Sequence, residues 1–434
     1  MENILIIGGG LMGSAVAWKL SDYGEKVMLI EQQGEHYKSG SSYGDARISR
    51  SLGPKKDIFS FVHNKTVAEV GQLIRFLNED SPGKKHRMED VYTTSPVSYL
   101  YHKSQYEDIR KLRFKKQKRD YRKASGDAAF RKFGMTLPDD CILVREHRKH
   151  SGTLNPRVLI QKLRLGIERK GSQIKHNRRA IRLTKKEGFY EVEILNTKTN
   201  KSKTIQAKKV IVAAGAYTVG LLENIAPYFK KLITPKRVSL SYFKISDQRW
   251  QQLSKTEIKR ILEAFPMFSQ SGKMYFSMIE KIEKNGSPIF KVGGHKMRRN
   301  IIDIDSVWGE QPRNKEVKWA RKQFRKHTEM LEIYLKKKDI EYVDGYNCVY
   351  AVSKDKIPFV THIFDQDGVL DKDIIVVSGM SGVGAKGCLG YGVLAADLLL
   401  GKSESNATYR KAAREFGNPS VRLYTKRVKR NRLF

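Results

Sequence analysis

Cysteine is scarce in this sequence, and so are acidic residues and long apolar runs. The 434 residues contain 3 cysteines, Cys141, Cys348 and Cys388, too few and too far apart for a disulfide framework or a zinc site. No stretch approaches the ~18 consecutive apolar residues that a membrane-spanning helix needs. The amino terminus lacks a secretory pattern and the carboxyl terminus lacks a peroxisomal address. We therefore expect a cytoplasmic protein with reduced cysteines, no metal and no membrane contact. We also expect a monomer.

The shortage of acids leaves a large positive charge. Lys and Arg number 83 against 46 Asp and Glu, so the net charge is +37. Two basic tracts stand out, at residues 103–123 and in a tail at residues 420–434. Such tracts are usually solvated surface, but they also suit a polyanionic partner. The charge alone therefore leaves nucleic acid open as a partner.

Length and apolar content predict more than one domain. A hydrophobic fraction of 40% over 434 residues is enough for cored domains of ~100–200 residues each. Strand and helix patterns typical of an α/β unit occupy residues 1–87, 151–225 and 341–434, whereas 88–150 and 226–340 are rich in Lys, Arg and aromatic residues. We predict a discontinuous nucleotide-binding α/β domain into which a substrate domain, α+β with a mixed sheet, is inserted twice.

A glycine motif lies between the first strand pattern and the first helix pattern. Gly8, Gly10 and Gly13 fit G-x-G-x-x-G in the required context. These glycines allow a tight turn, close approach of a pyrophosphate and close helix packing, while the helix amides hold the phosphates. Glu31 ends the next predicted strand, where a carboxylate can accept hydrogen bonds from ribose hydroxyls. The motif predicts a dinucleotide site and leaves FAD and NAD open.

A second set of motifs decides between the cofactors. Residues 40–50, GSSYGDARISR, resemble the S-S-x-G-D-T-R-I-x-R run of the monomeric sarcosine oxidase family, which belongs to the D-amino-acid-oxidase-like flavoproteins. Further resemblances follow in order: residues 210–218 to a strand ending A-A-G-A-W, 290–295 to K-x-x-x-H, 348–355 to C-M-Y-T-x-T-P-D, and 381–386 to S-G-H-G-F-K. The resemblance implies an FAD-binding Rossmann-like domain of the glutathione-reductase type, with the substrate domain on the flavin face.

The resemblance also implies roles for individual residues. Cys348 matches the cysteine that forms a thioether with the flavin 8α carbon, which implies covalently attached FAD. Lys291 matches a lysine over the flavin that promotes its reaction with oxygen, since a fixed positive charge stabilises the developing anion. Arg50 and Lys386 match residues that bind the substrate carboxylate. The other positions that the matched motifs place at the cofactor or substrate are Ser41, Ser42, Arg47, His295, Gly382 and Gly384.

Without the resemblance, the residues themselves favour plainer roles at several positions. A lone cysteine such as Cys348 is more often a small buried apolar residue than a reactive one. A lysine in an apolar strand pattern, like Lys291, is usually an edge or snorkelling residue. A structural role explains His295 as well as contact with substrate does. The resemblance itself implies an aromatic residue on the substrate side, which is either Tyr275 or Phe276.

The chain departs from the family pattern where a substrate would lie. The aromatic residue before the histidine is Gly294, and the His and Phe of the glycine loop are Val383 and Ala385. We expect a pocket different from, or larger than, one for sarcosine. The predicted reaction oxidises a secondary or cyclic amino acid, sarcosine-like or pipecolate-like, to an imine, with oxygen reduced to hydrogen peroxide. Two alternatives stay open: an FAD-dependent enzyme acting on an amino-acid-like modification of tRNA, and an inactive flavoprotein with a nucleic-acid-binding surface.

Overall fold

The structure is a computed structural model, which describes most of the chain. The described residues are 1–36, 40–51, 57–79, 85–106, 121–147, 151–269, 274–294, 299–301, 303–365 and 367–417. His295, residues 107–120 of the first basic tract and the whole predicted basic tail, residues 420–434, lie outside these ranges.

The described chain contains 11 α-helices and 20 strands. The helices are α1 (Leu11–Asp22), α2 (Asp57–Glu79), α3 (Asp127–Phe133), α4 (Pro156–Arg169), α5 (Thr218–Leu221), α6 (Phe229–Leu232), α7 (Asp247–Gln251), α8 (Lys255–Ala264), α9 (Asn314–Glu329), α10 (Cys388–Leu400) and α11 (Ala407–Gly417). The strands are β1 (Glu2–Ile7), β2 (Val27–Ile30), β3 (Arg47–Arg50), β4 (Tyr92–Thr94), β5 (Val97–His102), β6 (Tyr121–Ala124), β7 (Cys141–Glu146), β8 (Ser151–Leu154), β9 (Gln173–Lys175), β10 (Arg178–Lys186), β11 (Phe189–Asn196), β12 (Ser202–Val212), β13 (Ile233–Ile245), β14 (Met267–Ser269), β15 (Tyr275–Ile282), β16 (Pro288–Gly294), β17 (Arg299–Asn300), β18 (Ile340–Ser353), β19 (Phe359–Phe364) and β20 (Leu370–Ser378).

The first sheet is parallel at its centre and buried on both faces. Its parallel strands have the order β9-β2-β1-β12-β20, with β19 antiparallel beside β20. The β10–β11 hairpin joins through β11, which is antiparallel to the first half of β12. In β1, Ile4 and Ile6 pack in a core with α1, α2, α4, α10 and α11, whereas Leu5 and Ile7 pack in the core on the opposite face. A parallel sheet covered on both faces requires such unbroken apolar strands. The expected α/β class is confirmed.

The second sheet is mixed and lies under α8 and α9. Its order is β17-β13-β16-β15-β14-β5-β7-β6, and β18 is antiparallel to β13 over nearly its whole length. Phe290 of β16 packs against Phe324 of α9 with ring centroids 4.6 Å apart, in the core of this unit. Through β18, residues 341–353 of the segment that we predicted for the nucleotide domain join this sheet; the predicted domain boundaries stay a prediction.

A third sheet, β3-β8-β4, is small and carries Arg47 and Arg50 on its edge strand β3. Throughout the described ranges, every helix is too short or too polar to cross a membrane. The same residues contain no cluster of His, Cys, Asp or Glu side chains that could hold a metal ion.

Candidate active site

A cleft of about 470 Å³ opens at the carboxyl ends of β1 and β2, beside the start of α1. Doubly wound sheets bind their ligands at this edge. Its wall also includes residues 178–181, residues 213–217, Trp308, the end of β18 and the turn after β20. Among the described lining residues are eight of the predicted site positions: Gly8, Gly10, Glu31, Ser41, Ser42, Arg47, Gly382 and Gly384. The predicted positions that are described but do not line it are Gly13, Arg50, Lys291, Cys348 and Lys386.

The three motif glycines serve different purposes. Gly8 has φ +105°, and a Cβ there would lie 2.6 Å from Ala213 O. A Cβ on Gly13 would lie 1.7 Å from Gly8 O, because α1 packs directly on the turn after β1. A Cβ on Gly10 would have only Ser42 Oγ, at 3.2 Å, within 4 Å among the described atoms. Gly8 and Gly13 are therefore required by the fold, whereas Gly10 leaves space in the cleft for a ligand such as a pyrophosphate.

Glu31 fixes the glycine turn from the end of β2. Its side chain is buried, and Oε2 accepts a hydrogen bond from Gly9 N at 2.7 Å while Oε1 accepts one from Gln33 N at 2.9 Å. Burial raises the pKa of the Glu31 carboxyl above its ordinary value, against the effect of these backbone bonds and of Arg164. The ribose contact of Glu31 stays a prediction, whereas its hydrogen bond to the glycine turn was not predicted from the sequence.

Residues 40–50 connect the start of α1 to β18. Ser42 Oγ accepts a hydrogen bond from Leu11 N at 3.1 Å, at the first residue of α1. Ser41 Oγ donates to Val349 O at 2.6 Å. The two serines therefore join the start of α1 to the strand that carries Cys348.

Lys291 pairs with a carboxylate that the sequence analysis missed. Only 1% of Lys291 is exposed, and its Nζ donates to Ala46 O and to Glu280 Oε2, the latter at 2.5 Å. Ala46 O also accepts from Arg47 Nη1 at 2.8 Å, so Lys291 and the cleft-lining Arg47 share one carbonyl acceptor. Burial, opposed by Glu280, lowers the pKa of Lys291 to about 8.

Arg50 and Lys386 are buried on neighbouring elements beside the cleft. β3 packs against the turn that contains Lys386. The Arg50 guanidinium carbon lies 4.9 Å from the Tyr99 ring centroid and 4.4 Å from that of Phe268, and its buried Nη1 has no hydrogen-bond partner among the described residues. Lys386 Nζ lies 5.3 Å from the Phe59 ring centroid. A buried N–H without a partner costs about 1–3 kcal/mol, so an acceptor placed beside Arg50 would be stabilised.

Cys348 is fully buried behind the cleft wall. It packs in a small core with Val238 and Leu240. Tyr350, two residues along β18, lines the cleft, and side chains two residues apart face the same side of a strand. Arg47 lies close enough to Cys348 for an electrostatic interaction. The thiol therefore lies near the end of the cleft that Arg47 lines.

The alternation of β15 separates the two candidate substrate-side aromatic residues. Tyr275 stacks on His327 of α9 with ring centroids 4.8 Å apart. Phe276 faces the other way and packs against Phe268 at 5.9 Å, the ring that lies beside Arg50. Phe276 is therefore the aromatic residue on the Arg50 side of the sheet.

Gly294 does not enlarge the pocket, contrary to the expectation from the sequence. A Cβ on Gly294 would lie 2.6 Å from Met274 O and 2.8 Å from the Trp319 ring. The space left by the missing side chain is therefore filled by α9 and by the neighbouring strand.

Trp308 reaches the cleft from the segment between β17 and α9, which no sequence motif marked. Its Nε1 donates to Tyr217 OH at 2.5 Å, and Tyr217 OH donates in turn to Asp305. Arg179 of β10 forms an ion pair with Asp305 at 2.8 Å. These contacts fasten the Trp308 segment to both β10 and Tyr217, at the side of the cleft.

Comparison with known proteins agrees with this geometry. A family model described as DAO, FAD dependent oxidoreductase, matches residues 3–398. The chain belongs to this family. An FAD-dependent oxidoreductase needs a dinucleotide cleft with room beside its glycine turn, and the space at Gly10 meets that need. The predicted family, the α/β fold and the FAD cofactor are confirmed.

This oxidoreductase is similar in sequence to two sarcosine oxidases. It is 23% identical over 410 residues to the probable sarcosine oxidase of Arabidopsis thaliana, and the aligned region covers 92% of this chain and 88% of that protein. It is 22% identical over 405 residues to the monomeric sarcosine oxidase of Bacillus sp. (strain NS-129), covering 88% and 89% respectively. Among solved structures, the open form of NikD, an unusual amino acid oxidase essential for nikkomycin biosynthesis, has a TM-score of 0.71 at 15% identity, covering 95% of this chain and 97% of NikD.

Proposed function

We propose that this FAD-dependent oxidoreductase oxidises the C–N bond of a secondary or cyclic amino acid to an imine, with oxygen reduced to hydrogen peroxide. The observation that carries the substrate class is Arg50, whose buried Nη1 lacks an acceptor within the described part of the chain. A substrate carboxylate would supply that acceptor through a charge-assisted hydrogen bond. The names of the two sarcosine oxidase relatives support an amine that bears a carboxylate.

The cleft wall suggests how the cofactor would be held. FAD, when bound, supplies the two-electron oxidation of the substrate C–N bond. The space at Gly10 and the first amides of α1 would take the pyrophosphate, and Glu31 would accept hydrogen bonds from ribose hydroxyls. Arg47, Gly382 and Gly384 also line the cleft. The flavin ring would lie beside them, and this part of the cleft is the proposed flavin end.

Three buried residues near the flavin end receive separate roles. Cys348 would form the covalent link, because its thiol lies near Arg47 and a neighbouring guanidinium favours the reactive thiolate. Lys291 and Arg47 would place positive charge where oxygen is reduced. Lys386, on the turn packed against β3, would be the second cation for the carboxylate.

The substrate class is tested by pairs of compounds that differ only at the carboxyl group. Sarcosine and pipecolate are mixed anaerobically with the enzyme, and flavin bleaching is compared with that by their primary amides. We expect the acids to reduce the flavin about 10- to 100-fold faster, the value of one charge-assisted hydrogen bond. Arg50→Ala should remove most of this preference, whereas Arg182→Ala, which alters an exposed arginine of the first sheet, should keep it. Equal reduction of the wild-type flavin by acids and amides would contradict the proposal.

The fate of the electrons is tested separately. With oxygen present, one molecule of hydrogen peroxide should form for each molecule of amine consumed. Turnover without peroxide would assign the electrons to a different acceptor.

A further inference from the structure

Glu280 lies at an irregularity of the β15–β16 hairpin. Ile279 pairs with Phe290 and Lys281 pairs with Ile289, so Glu280 is the extra residue between two matched pairs. Such an extra residue has no cross-strand partner and bends its strand. Met278 pairs with Lys291, and Glu280, two residues from Met278, faces the same side of β15, with its side chain only 6% exposed.

The Glu280 carboxylate contacts three separate parts of the protein. Oε2 accepts from Lys291 Nζ at 2.5 Å, and Oε1 accepts from Asp45 N at 2.7 Å and from Tyr242 OH at 3.4 Å. Gly44 has φ +106°, and a Cβ there would lie 2.9 Å from Oε1. The Glu280 carboxylate therefore holds two parts of the protein in one arrangement. One is the loop that leads to Ala46 and Arg47, and the other is the Lys291 side chain.

The ammonium group of Lys291 depends on this carboxylate. Burial disfavours its charged form, and the neighbouring Arg47 guanidinium disfavours it further. Glu280 from β15 and Asp45 from the loop before β3 act in the opposite direction, and the phenol of Tyr242 from β13 also faces the carboxylate. Without the Glu280 charge, only Asp45 would act against the effects of burial and of Arg47 on Lys291. The protonation equilibrium of Lys291 would then shift toward the neutral amine.

We propose that Glu280 is a positioning residue that keeps Lys291 protonated and directed at Ala46 O, so that a fixed positive charge stands behind the flavin end of the cleft. This inference rests on the proposed role of Lys291 in the reaction with oxygen. It adds that the charge of that lysine depends on a carboxylate from the neighbouring strand.

The protonation of Lys291 can be measured directly by NMR of protein labelled with ¹³C at lysine Cε. The Lys291 signal is assigned by its loss in Lys291→Met, and its shift is followed against pH. We expect a midpoint near pH 8 in the wild-type protein and a midpoint at least about one unit lower in Glu280→Gln. Glu341→Gln, which breaks an exposed pair with Lys244 in the same sheet, should leave the Lys291 midpoint unchanged. An unchanged midpoint in Glu280→Gln would overturn the proposal.

The consequence for oxygen is measured on enzyme whose flavin has been reduced chemically, so that substrate binding plays no part. At about pH 7.5, Glu280→Gln should be reoxidised about threefold more slowly or worse, with recovery toward lower pH as Lys291 regains its proton. A uniform loss at every pH would indicate a structural defect and contradict the proposal.

The two measurements separate the failure of Glu280 from the failure of Lys291. If Lys291→Met is reoxidised at the wild-type rate, the proposed role of Lys291 fails, while the NMR midpoint still tests Glu280. If Lys291→Met is slow but the midpoint in Glu280→Gln does not move, only the inference about Glu280 fails. Should Glu280→Gln not fold, Glu280→Asp keeps the charge on a shorter side chain, and we expect a smaller downward shift of the same sign.

Discussion

Alanine at Gly10 and alanine at Gly13 should separate binding of FAD from folding of the protein. At Gly13 the added Cβ would lie 1.7 Å from Gly8 O, and α1 can move away only by giving up its packing on β1. Overpacking of this kind costs about 1–3 kcal/mol or more, against which helix propensity returns at most about 1 kcal/mol. At Gly10, φ is −71° and the closest atom is Ser42 Oγ at 3.2 Å, so alanine fits the folded chain after a small shift.

FAD affinity, in contrast to stability, should fall in Gly10→Ala. The Gly10 Cβ would occupy the cleft, and loss of one or two charge-assisted hydrogen bonds to the pyrophosphate, about 1.5–3 kcal/mol each, weakens binding at least about 10-fold. A Cys348→Ala background keeps FAD binding reversible, and titration of the apoprotein with FAD gives the affinity. Urea unfolding without FAD gives the stability, which we expect to fall for Gly13→Ala and to stay within about 0.5 kcal/mol for Gly10→Ala. Undiminished FAD affinity in Gly10→Ala, or undiminished stability in Gly13→Ala, would refute this reasoning.

Three further substitutions have defined outcomes. Cys348→Ala should release its flavin on acid precipitation; retention of the colour would place the attachment elsewhere. Lys291→Met should leave anaerobic reduction by substrate largely intact and slow reoxidation, by up to about 3–4 kcal/mol of barrier if its charge acts like one preorganised donor; equal loss in both half-reactions would argue for a structural role. Burial, with Lys326, lowers the pKa of His327 to about 3 from 6.5, so the unfolded chain takes up this proton first and stability falls as pH drops below 6.5, by about 2 kcal/mol at pH 5. His327→Gln, which can still bond Ser277, should lose that part of the acid sensitivity in urea unfolding at pH 7 and pH 5, and an unchanged pH dependence would refute the assignment.

The elements around the glycine turn could be predicted because their patterns are local. A strand pattern before the glycine motif and a helix pattern after it predicted the elements that the structure shows as β1 (Glu2–Ile7) and α1 (Leu11–Asp22). A strand buried on both faces needs only its own sequence to be recognised. The same holds for β2, whose last residue places Glu31 at the cleft.

The features that escaped prediction depend on contacts between distant segments. Asn285 and Gly286 mark a hairpin turn. Regular pairing counted outward from this turn would place Glu280 opposite Phe290. The bulge changes this register beyond Lys281, so that the Glu280 carboxylate reaches Lys291. Trp308 lies in an irregular segment without periodicity. The missing bulk at Gly294 is offset by a side chain of α9, which a motif comparison limited to matched positions does not include.

Anaerobic addition of a free carboxylated secondary amine to RNA-free holoenzyme tests the central claim most directly. The account predicts that sarcosine or pipecolate bleaches the visible absorbance of the oxidised flavin and that one equivalent of imine, or its hydrolysis product, forms. A flavin that stays oxidised with both amines, and is reduced only by RNA carrying an amino-acid-like modification, would contradict it.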